Sequence, residues 1–459
     1  MKLAVIGAGW AGLSAALEAT QQGHEVTVFE ASRSLGGRAR GVPVSYQHGP
    51  QEHHWLLDNG QHILIGAYSQ TLALMQRVGT PSTELLRTPL TLMYPDGRGL
   101  RCPDLSLLAT NSIAFNSILS LLEAMMGIAS LPWRVSERWA LMTRAMRWRQ
   151  QKFSCVPELS VADLCAGLPT RVLQEFIEPL CVSALNTPTA TASAQVFLRV
   201  LQDALLGPVD AHAKSWGLPS HLLIPRADLG HLFPERAAQA LAQAGAALRS
   251  GERAQLTCAT AGSTTPGWQV QGEHFDAVVL ATSASDAIKL LDSTAQDAPE
   301  NIASHLMAWR HTTQALRYEP IATVYAYAPQ ARLKAPMLAL HSSAQHPAQF
   351  VFDRGQLHPA QHGLLAFVVS ASRGDAATLQ TQVLAQAQAQ LGLSLAPVKT
   401  LVEKRATFAC TPGLERPSAS IAPGLLACGD YIAGPYPATL EGAVRSGLSV
   451  IHGWIEETT

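Results

Sequence analysis

A glycine pattern at the N-terminus constrains the fold of this chain more than any other feature. An apolar run, Lys2–Ile6, leads into Gly7-Ala8-Gly9-Trp10-Ala11-Gly12, and a helical stretch, Leu13–Gln22, follows directly. A second β-branched run, Glu25–Phe29, then ends at Glu30. These segments predict a strand, a tight turn, a helix and a second parallel strand, which together form the βαβ unit of a dinucleotide-binding domain.

The three glycines of this turn have separate physical roles. Gly7 allows the tight turn, Gly9 lets the backbone approach a pyrophosphate, and Gly12 lets helix and strand pack closely. The helix N-terminus adds unpaired N–H groups and a positive dipole, and Glu30 stands where an acid binds a ribose hydroxyl. The alternative is a glycine-rich turn that holds no ligand. The predicted nucleotide contacts are Gly7, Ala8, Gly9, Trp10, Ala11, Gly12, Glu30 and Ala31.

The composition excludes several classes of function. The chain has 459 residues, of which 47% are hydrophobic and 15% charged, so it is long enough for two or three well-buried domains. Its net charge of −1 argues against nucleic acid as the main partner. Seven scattered cysteines fit reduced thiols in a cytosol and give no zinc pattern. We expect a cytoplasmic protein, because glycines interrupt the apolar N-terminus and polar residues interrupt residues 105–131.

A second glycine pair follows the predicted ribose-binding acid. Gly36-Gly37-Arg38 stands where an NAD dehydrogenase would continue into another crossover helix. This loop resembles the FAD-binding fingerprint of the flavin amine oxidase and phytoene desaturase superfamily. The resemblance implies that the cofactor is FAD, with close backbone approach at Gly36 and Gly37 and phosphate neutralisation by the Arg38 guanidinium. Alternatively, Arg38 and Arg40 are a solvated pair on a loop.

The segment Leu56–His62 reads as a strand that runs into a polar turn. A glycine flanked by hydrogen-bonding side chains suits the wall around a flavin ring, so we predict that Asn59, Gly60, Gln61 and His62 contact the cofactor. His62 is also the first ionisable group near the chemistry; its alternative role is a structural histidine that bonds only backbone. The residues Gln51-Glu52-His53-His54 have no partner cluster at ligand spacing, so we predict an exposed loop there and no metal.

The middle of the chain is predicted to be helical and then antiparallel. A hairpin pattern at residues 90–102 precedes a long helical region, about residues 105–206. Within it, Trp133–Lys152 interleaves basic residues with tryptophans, which is typical of a membrane-interface surface or of a solvated helix whose tryptophans face the core. Strand patterns at residues 321–328, 349–352, 364–370 and 399–408 predict a mostly antiparallel sheet.

The C-terminal segment completes the resemblance. Leu425–Asp430 reads as a short strand that ends in Gly-Asp, and a helix follows the segment Tyr436–Ala443. In the superfamily such a segment returns to the first domain, where the helix N-terminus faces the flavin and stabilises its anionic reduced form. The alternative is an ordinary strand and helix. No cysteine lies in Tyr436–Ala443, so we expect FAD to be bound non-covalently.

The resemblance implies further contacts with FAD along the chain. The Gly-Asp pair contacts the ribityl-phosphate region, residues 437–439 face the flavin, residue 254 lies on the adenine side, and residues 281–282 end a buried strand that passes close to the cofactor. The residues so implied are Ala254, Ala281, Thr282, Gly429, Asp430, Pro437, Ala438 and Thr439.

The order of these motifs predicts an α/β fold, α+β overall. We assign residues 1–83, 210–298 and 406–459 to a Rossmann-type FAD-binding domain. Residues 84–209 and 299–405 form a discontinuous substrate domain of mixed or antiparallel sheet plus helices, whose helical part (about 105–206) is the candidate for a membrane-facing surface.

Two blocks narrow the resemblance within the superfamily. Asp58–Tyr68 and Pro437–Gly447 closely resemble the hydroxysqualene dehydroxylase family of bacterial hopanoid biosynthesis. The resemblance implies that hydroxysqualene, an apolar C30 isoprenoid, loses its hydroxyl and that reduced FAD delivers a hydride from N5 to an allylic cation, giving squalene. It also implies an electron donor for FAD, which the sequence does not identify, and it suits a peripheral position on the inner face of a membrane. The candidate acids for the departing hydroxyl are His62, Tyr431 and Glu441.

Three other functions stay open at this point. An amine oxidase would need an aromatic cage, for which Tyr436 is the only obvious residue. A carotenoid-type desaturase would oxidise a polyene. A non-catalytic prenyl-lipid escort is the third, because GDP-dissociation inhibitors use the same fold, although a carrier has no need of the Gly-Asp and Asp-Asn-Gly-Gln-His segments.

Overall fold

The N-terminal segment folds as its glycine pattern predicts. In the computed structural model of the chain, Lys2–Ile6 forms strand β1, Trp10–Gln21 forms helix α1 and Glu25–Glu30 forms strand β2. The structure describes residues 1–110, 112–207, 216–259 and 267–458. The predicted domain boundary between residues 209 and 210 therefore lies outside the described residues.

The remaining elements follow in chain order. The other strands are β3 (Gly41–His48), β4 (Gln51–Asp58), β5 (Leu64–Ile65), β6 (Leu85–Thr88), β7 (Thr91–Met93), β8 (Gly99–Arg101), β9 (Leu222–Pro225), β10 (Ala247–Ser250), β11 (Leu256–Ala259), β12 (Gly267–Val270), β13 (Glu273–Phe275), β14 (Ala277–Leu280), β15 (Tyr318–Tyr327), β16 (Met337–Ala339), β17 (Phe350–Asp353), β18 (Leu364–Val369), β19 (Ala396–Phe408), β20 (Ser420–Ala422) and β21 (Leu425–Ala427). The other α-helices are α2 (Ser69–Arg77), α3 (Ile113–Ser130), α4 (Val135–Gln150), α5 (Val161–Leu164), α6 (Thr170–Val172), α7 (Glu178–Leu185), α8 (Ala194–Leu206), α9 (Leu229–Leu232), α10 (Pro234–Gln243), α11 (Ala284–Thr294), α12 (Glu300–Gln314), α13 (Arg354–Leu357), α14 (Ala376–Leu391) and α15 (Leu440–Thr458). A π-helical stretch, Leu173–Ile177, leads into α7, and single 3-10 turns lie at Ser82–Glu84, Ser106–Leu108 and Pro359–Gln361.

A six-stranded sheet in the order β10-β2-β1-β14-β21-β20 carries the predicted dinucleotide motif. Its first five strands are parallel, and β20 closes one edge antiparallel to β21. Leu3 and Val5 of β1 face a core shared with α1 and α15, whereas Ala4 and Ile6 face the opposite side, because side chains alternate along a strand. This sheet confirms the predicted α/β fold.

A second, five-stranded sheet is antiparallel, as the strand patterns predict, in the order β16-β17-β18-β15-β19. One of its faces packs on α14 through residues such as Phe367 and Leu379. The other face presents Phe350 and Phe352 toward the predicted helical region, which consists of α3 to α8. A cavity lies between this face and the helices.

Two predictions of local structure are wrong. Gln51-Glu52-His53-His54 is not a loop but the start of β4, which pairs with β3 in a two-stranded ribbon. The polar side chains of this ribbon obscure its alternation, because most of them face solvent. The apolar run that begins at Phe275 is not one strand, because the backbone N–H of Asp276 bonds the carbonyl of Lys2 where the chain passes from the small sheet β11-β12-β13 to β14.

Among the described residues, none of the helices combines the length and hydropathy needed to cross a bilayer.

Candidate active site

The glycine turn forms a cradle at the N-terminus of α1. A Cβ atom on Gly12 would lie 1.9 Å from the carbonyl oxygen of Gly7 and 2.8 Å from Cβ of Ala281, so only glycine allows this packing. A Cβ atom on Gly9 would meet no protein atom within 4 Å, because Gly9 faces the cavity. The first glycine is therefore a turn residue with φ +112°, the third a packing residue, and the second leaves room for a ligand.

Glu30 is held in place at the end of β2. Its Oε2 accepts a hydrogen bond of 2.7 Å from the backbone N–H of Ala8, and its Oε1 accepts one of 2.8 Å from the backbone N–H of Ser32. A carboxylate has further acceptor positions, so Glu30, which lies in the cavity wall, can still accept from ribose hydroxyls.

An ion pair joins the second motif to the C-terminal motif. Nη2 of Arg38 donates to Oδ1 of Asp430 at 2.5 Å, and its Nη1 donates to the carbonyl of Ala406 at 2.6 Å. Burial alone would lower the pKa of Arg38, but the Asp430 carboxylate outweighs it and raises that pKa. Both side chains border the cavity, so a fixed positive charge and a fixed acceptor lie beside each other in its wall, and their predicted contacts are a phosphate and the ribityl chain.

His62 lies in the cavity wall but does not carry a proton that it could donate there. Burial lowers the pKa of His62 from 6.5 to about 4, so the ring is neutral at pH 7. Its Nδ1 contacts the carbonyl oxygen of Gly60, which can only accept, so the single ring proton sits on Nδ1. Nε2 therefore offers a lone pair, and His62 is an acceptor rather than the acid that the sequence suggests.

Tyr431 and Glu441 also do not fit the predicted acid role. Neither side chain lines the cavity. Tyr431 is buried behind Gly429, and burial raises its pKa well above the usual value, which makes it a poorer acid. Glu441 is fully buried, and its carboxylate accepts from the backbone N–H groups of Gln70 and Thr71, from the Thr71 hydroxyl at 2.7 Å and from Nε of Arg445 at 2.6 Å. It caps the N-terminus of α2 and so has a structural task.

The cavity brings the predicted cofactor residues together from all three parts of the chain. Its volume is about 1360 Å³, above the range of roughly 300–1,000 Å³ that holds one drug-sized ligand, so there is room for a dinucleotide and a second molecule. Three of the predicted residues do not line the cavity and lie behind its wall: Ala8, Gly12 and Pro437. The predicted residues that line it are Gly7, Gly9, Trp10, Ala11, Glu30, Ala31, Gly36, Gly37, Arg38, Asn59, Gly60, Gln61, His62, Ala254, Ala281, Thr282, Gly429, Asp430, Ala438 and Thr439.

The remainder of the cavity is apolar and lies in the predicted substrate region. Its floor is the antiparallel sheet, with Phe350, Phe352 and Val368, and its roof is the helical layer, with residues such as Leu141 and Leu180. Asp203 of α8 is a buried carboxylate in this roof that the sequence patterns did not predict, and they predicted Tyr436 only as a cage residue. The available signal was an aspartate four residues after Arg199 in a mostly apolar helix.

A second polar cluster lies behind the wall. Within the described residues, Asp104, Glu123 and His221 could together hold a metal ion. Glu123 already accepts from the backbone N–H of Leu105 at 2.7 Å and bonds Nε2 of His221 at 3.2 Å. These bonds tie α3 to the segment before β9, which is a sufficient structural role for the cluster.

The glycine cradle, the Glu30 carboxylate and the Arg38–Asp430 pair define the class of this protein: it is an FAD-dependent oxidoreductase. The sequence profile of the flavin-containing amine oxidoreductases matches residues 10–450. The chain belongs to that family.

Two relatives and two solved structures are similar to the chain. It is 25% identical over 96% of both chains to hydroxysqualene dehydroxylase of Rhodopseudomonas palustris. It is 38% identical to the zeta-carotene desaturase of Zea mays, but only over 87 residues, which span 14% of that enzyme. An oxidoreductase from Methanosarcina mazei superposes with a TM-score of 0.69 at 15% identity, covering 98% of this chain and all of the other. Cyclohexylamine oxidase from Brevibacterium oxydans superposes with a TM-score of 0.62 at 16% identity over 99% of each chain or more. These two structures share the fold.

Proposed function

We propose that this enzyme converts hydroxysqualene to squalene by reductive removal of the hydroxyl group. The observation that carries the proposal is the apolar half of the cavity, which is continuous with the cofactor cradle and has space for a long hydrocarbon. The likeness to a hydroxysqualene dehydroxylase over 96% of both chains supports the same substrate. A substrate with one hydroxyl on a C30 hydrocarbon needs mostly apolar walls and few polar contacts.

The proposed reaction is balanced as follows. The C–O bond breaks, its electron pair leaves with the oxygen as water after one proton is taken up from solvent, and a C–H bond forms at the same allylic system. Bound FAD, in its reduced form, supplies the hydride. The alcohol is reduced and FAD is oxidised, so an external electron donor must reduce the cofactor again. The residues of the chain bind and orient the alcohol and exclude water, which would otherwise capture a cation.

The substrate is proposed to enter from an anionic phospholipid bilayer, through a mouth between α3 and α4. Met125 and Met146 line the cavity and are also exposed, by 39% and 49%. Around them, α3 and α4 expose further apolar side chains, such as Ile118 and Trp139, whereas Trp133 and Trp148 are buried. Arg134, Arg147, Arg149 and Lys152 are exposed beside this patch, and their charges complement an anionic surface.

Flotation of the holoenzyme with vesicles tests this entry surface. Ile118→Glu and Trp139→Glu are each expected to reduce binding to vesicles that contain anionic phospholipid by at least tenfold, and neutral vesicles should bind less than anionic ones. Met307→Glu, which changes an exposed apolar residue on α12, is the matched control. Equal flotation of all three variants and the wild type would refute substrate entry from the membrane between α3 and α4. It would not contradict the proposed reaction.

The reaction itself is tested anaerobically. Photoreduced enzyme is mixed with hydroxysqualene, flavin reoxidation is followed at the visible band, and the product is identified by mass. Reoxidation with formation of squalene supports the proposal. A flavin that stays reduced beside untouched alcohol refutes it, and oxidised enzyme is then offered polyenes and amines, since a desaturase or an amine oxidase would reduce its flavin with them. A protein that cannot be reconstituted with FAD would favour a prenyl-lipid escort.

A further inference from the structure

One carboxylate interrupts the apolar roof of the cavity. Asp203 lies on α8 between the apolar lining residues Leu201 and Ala204, and its side chain is buried. Among the described residues of the helical layer, it is the acidic residue that lines the cavity. A buried charge in apolar surroundings is costly, so its place beside a hydrocarbon channel calls for a partner.

One hydrogen bond holds the Asp203 carboxylate. Its Oδ2 accepts from Nε of Arg199, one helical turn earlier, at 2.6 Å. The guanidinium of Arg199 in turn lies over the Tyr436 ring, and burial and the Asp203 carboxylate raise the pKa of Tyr436 to about 12. The carboxylate thus stands beside the C-terminal segment that carries Ala438 and Thr439 in the cofactor half of the wall.

The segment around Tyr436 is itself unusual. Tyr436 has φ +59° and Ala438 has φ +58°, in the left-handed region that non-glycine residues rarely adopt. The guanidinium groups of Arg199 and Arg445 lie 5.6 Å and 4.8 Å from the centre of the Tyr436 ring. Strained backbone of this kind persists where surrounding contacts impose it, and it is concentrated at active sites. Arg199 therefore links Asp203 to Tyr436, and both of these residues line the cavity where its cofactor half meets its apolar half.

We propose that Asp203 recognises the polar end of the substrate: its carboxylate accepts a hydrogen bond from the alcohol and stabilises the positive charge that develops at the allylic carbons when the C–O bond breaks. This inference rests on the proposed function. Asp203 acts as a hydrogen-bond acceptor in this role, and the bond from Arg199 orients it. The Arg199 guanidinium offsets part of the carboxylate charge, but the Asp203 side chain itself is only 8% exposed, so little solvent screens its interaction with a developing cation in the cavity.

The test compares Asp203→Asn, Asp203→Glu and Tyr436→Phe in the anaerobic reoxidation assay. We expect Asp203→Asn to lower the maximal rate of flavin reoxidation by hydroxysqualene by roughly 100-fold, the loss typical of one removed electrostatic group, with a much smaller change in half-saturation. Asp203→Glu should restore part of the rate, and Tyr436→Phe should cost less than Asp203→Asn. The matched control is Asp292→Asn, which removes the carboxylate charge of another arginine–aspartate pair, Arg310–Asp292. Asp292 does not line the cavity. FAD content and reoxidation by dioxygen report whether each variant is folded. An Asp203→Asn rate within threefold of the wild type would overturn the proposal.

A binding experiment separates this inference from the proposed function. If wild-type enzyme does not turn over hydroxysqualene, the reaction is wrong, but charge recognition by Asp203 can still be measured. N,N-dimethyldodecylamine, a cation at neutral pH, and dodecanol are titrated into the oxidised holoenzyme while the visible flavin spectrum is recorded. The wild type should prefer the cation, and Asp203→Asn should lose that preference by at least tenfold. Equal preferences in the two proteins would overturn the role of Asp203 whatever the reaction is.

Discussion

Glu441 lies next to the flavin-facing segment in the sequence, yet its contacts predict a loss of stability rather than of chemistry when it is replaced. Its carboxylate accepts from two backbone N–H groups and one hydroxyl at the start of α2, and from Nε of Arg445. Tyr68, the residue before α2, makes no side-chain capping bond, so Glu441 supplies the cap from 371 residues away in sequence. All four donors bond one carboxylate, and hydrogen bonds to a charged group contribute about 1.5–3 kcal/mol each, although such contributions do not add when they share one partner.

Removal of one partner of an ion pair with a fully buried carboxylate costs about 3–5 kcal/mol. Glu441→Ala should destabilise the protein by about this amount, since it leaves a partly buried guanidinium and several donors unpaired. Glu441→Gln keeps an acceptor oxygen and should lose only the charged part, about 1.5–3 kcal/mol. Urea unfolding of the holoenzyme, followed by far-UV circular dichroism and flavin fluorescence, measures both. Glu456→Ala, on the exposed side of the same helix, is the control and should change stability little.

The decisive comparison is turnover per bound flavin in Glu441→Gln. If this variant keeps its stability but loses activity by more than 100-fold, Glu441 acts in the chemistry and the structural argument is wrong.

Three further predictions concern the cofactor site. Gly9→Ala should fold but bind little FAD, because its new methyl group points into the cavity. Gly12→Ala should fail to fold, because its methyl group would overlap the carbonyl oxygen of Gly7. Soluble yield and flavin content distinguish the two outcomes. Burial lowers the pKa of His62 from 6.5 in the unfolded chain to about 4 in the folded protein. As the pH falls below 6.5, the unfolded chain is protonated at His62 and the folded protein is not. The free energy of unfolding therefore decreases from pH 6.5 down to about pH 4. Between pH 7 and pH 5 the loss is about 2 kcal/mol, and His62→Gln should not show it; the same pH dependence of urea unfolding in both proteins would contradict this. Arg38→Met removes a charged bond to Asp430 and should weaken FAD binding by at least tenfold in equilibrium dialysis, and unchanged affinity would show that Arg38 serves only the ion pair.

The parts of the fold that the sequence predicts well are those whose cause is local. Gly7, Gly9 and Gly12 stand within one turn, and each is fixed by a nearby backbone or by the ligand, so their roles follow from spacing alone. The antiparallel sheet is predicted for a similar reason, since β18 and most of β17 are continuous apolar runs. The ribbon β3-β4 is missed, because its exposed side chains give no apolar alternation.

The candidate site is predicted less completely because long-range contacts decide it. Glu441 seemed available in the sequence, and only the approach of α2 shows that its carboxylate is used. His62 seemed able to donate a proton, but the carbonyl of Gly60 fixes the proton on the nitrogen that faces the backbone. Asp203 stands 233 residues before Tyr436, and no local pattern brings a roof helix to the C-terminal segment.

The strand order of the cofactor sheet has a consequence for how the protein is made. β1 lies between β2 and β14, and β14 pairs on its other side with β21, which begins at Leu425. At roughly 5–20 residues per second, a ribosome needs on the order of 20 to 80 s to reach that strand after the glycine turn has emerged. During this interval β1 gains β14 as its second partner, but β14 still lacks β21, and Asp430 is not yet present to meet Arg38. The cofactor cradle is therefore complete only when the last part of the chain has been made.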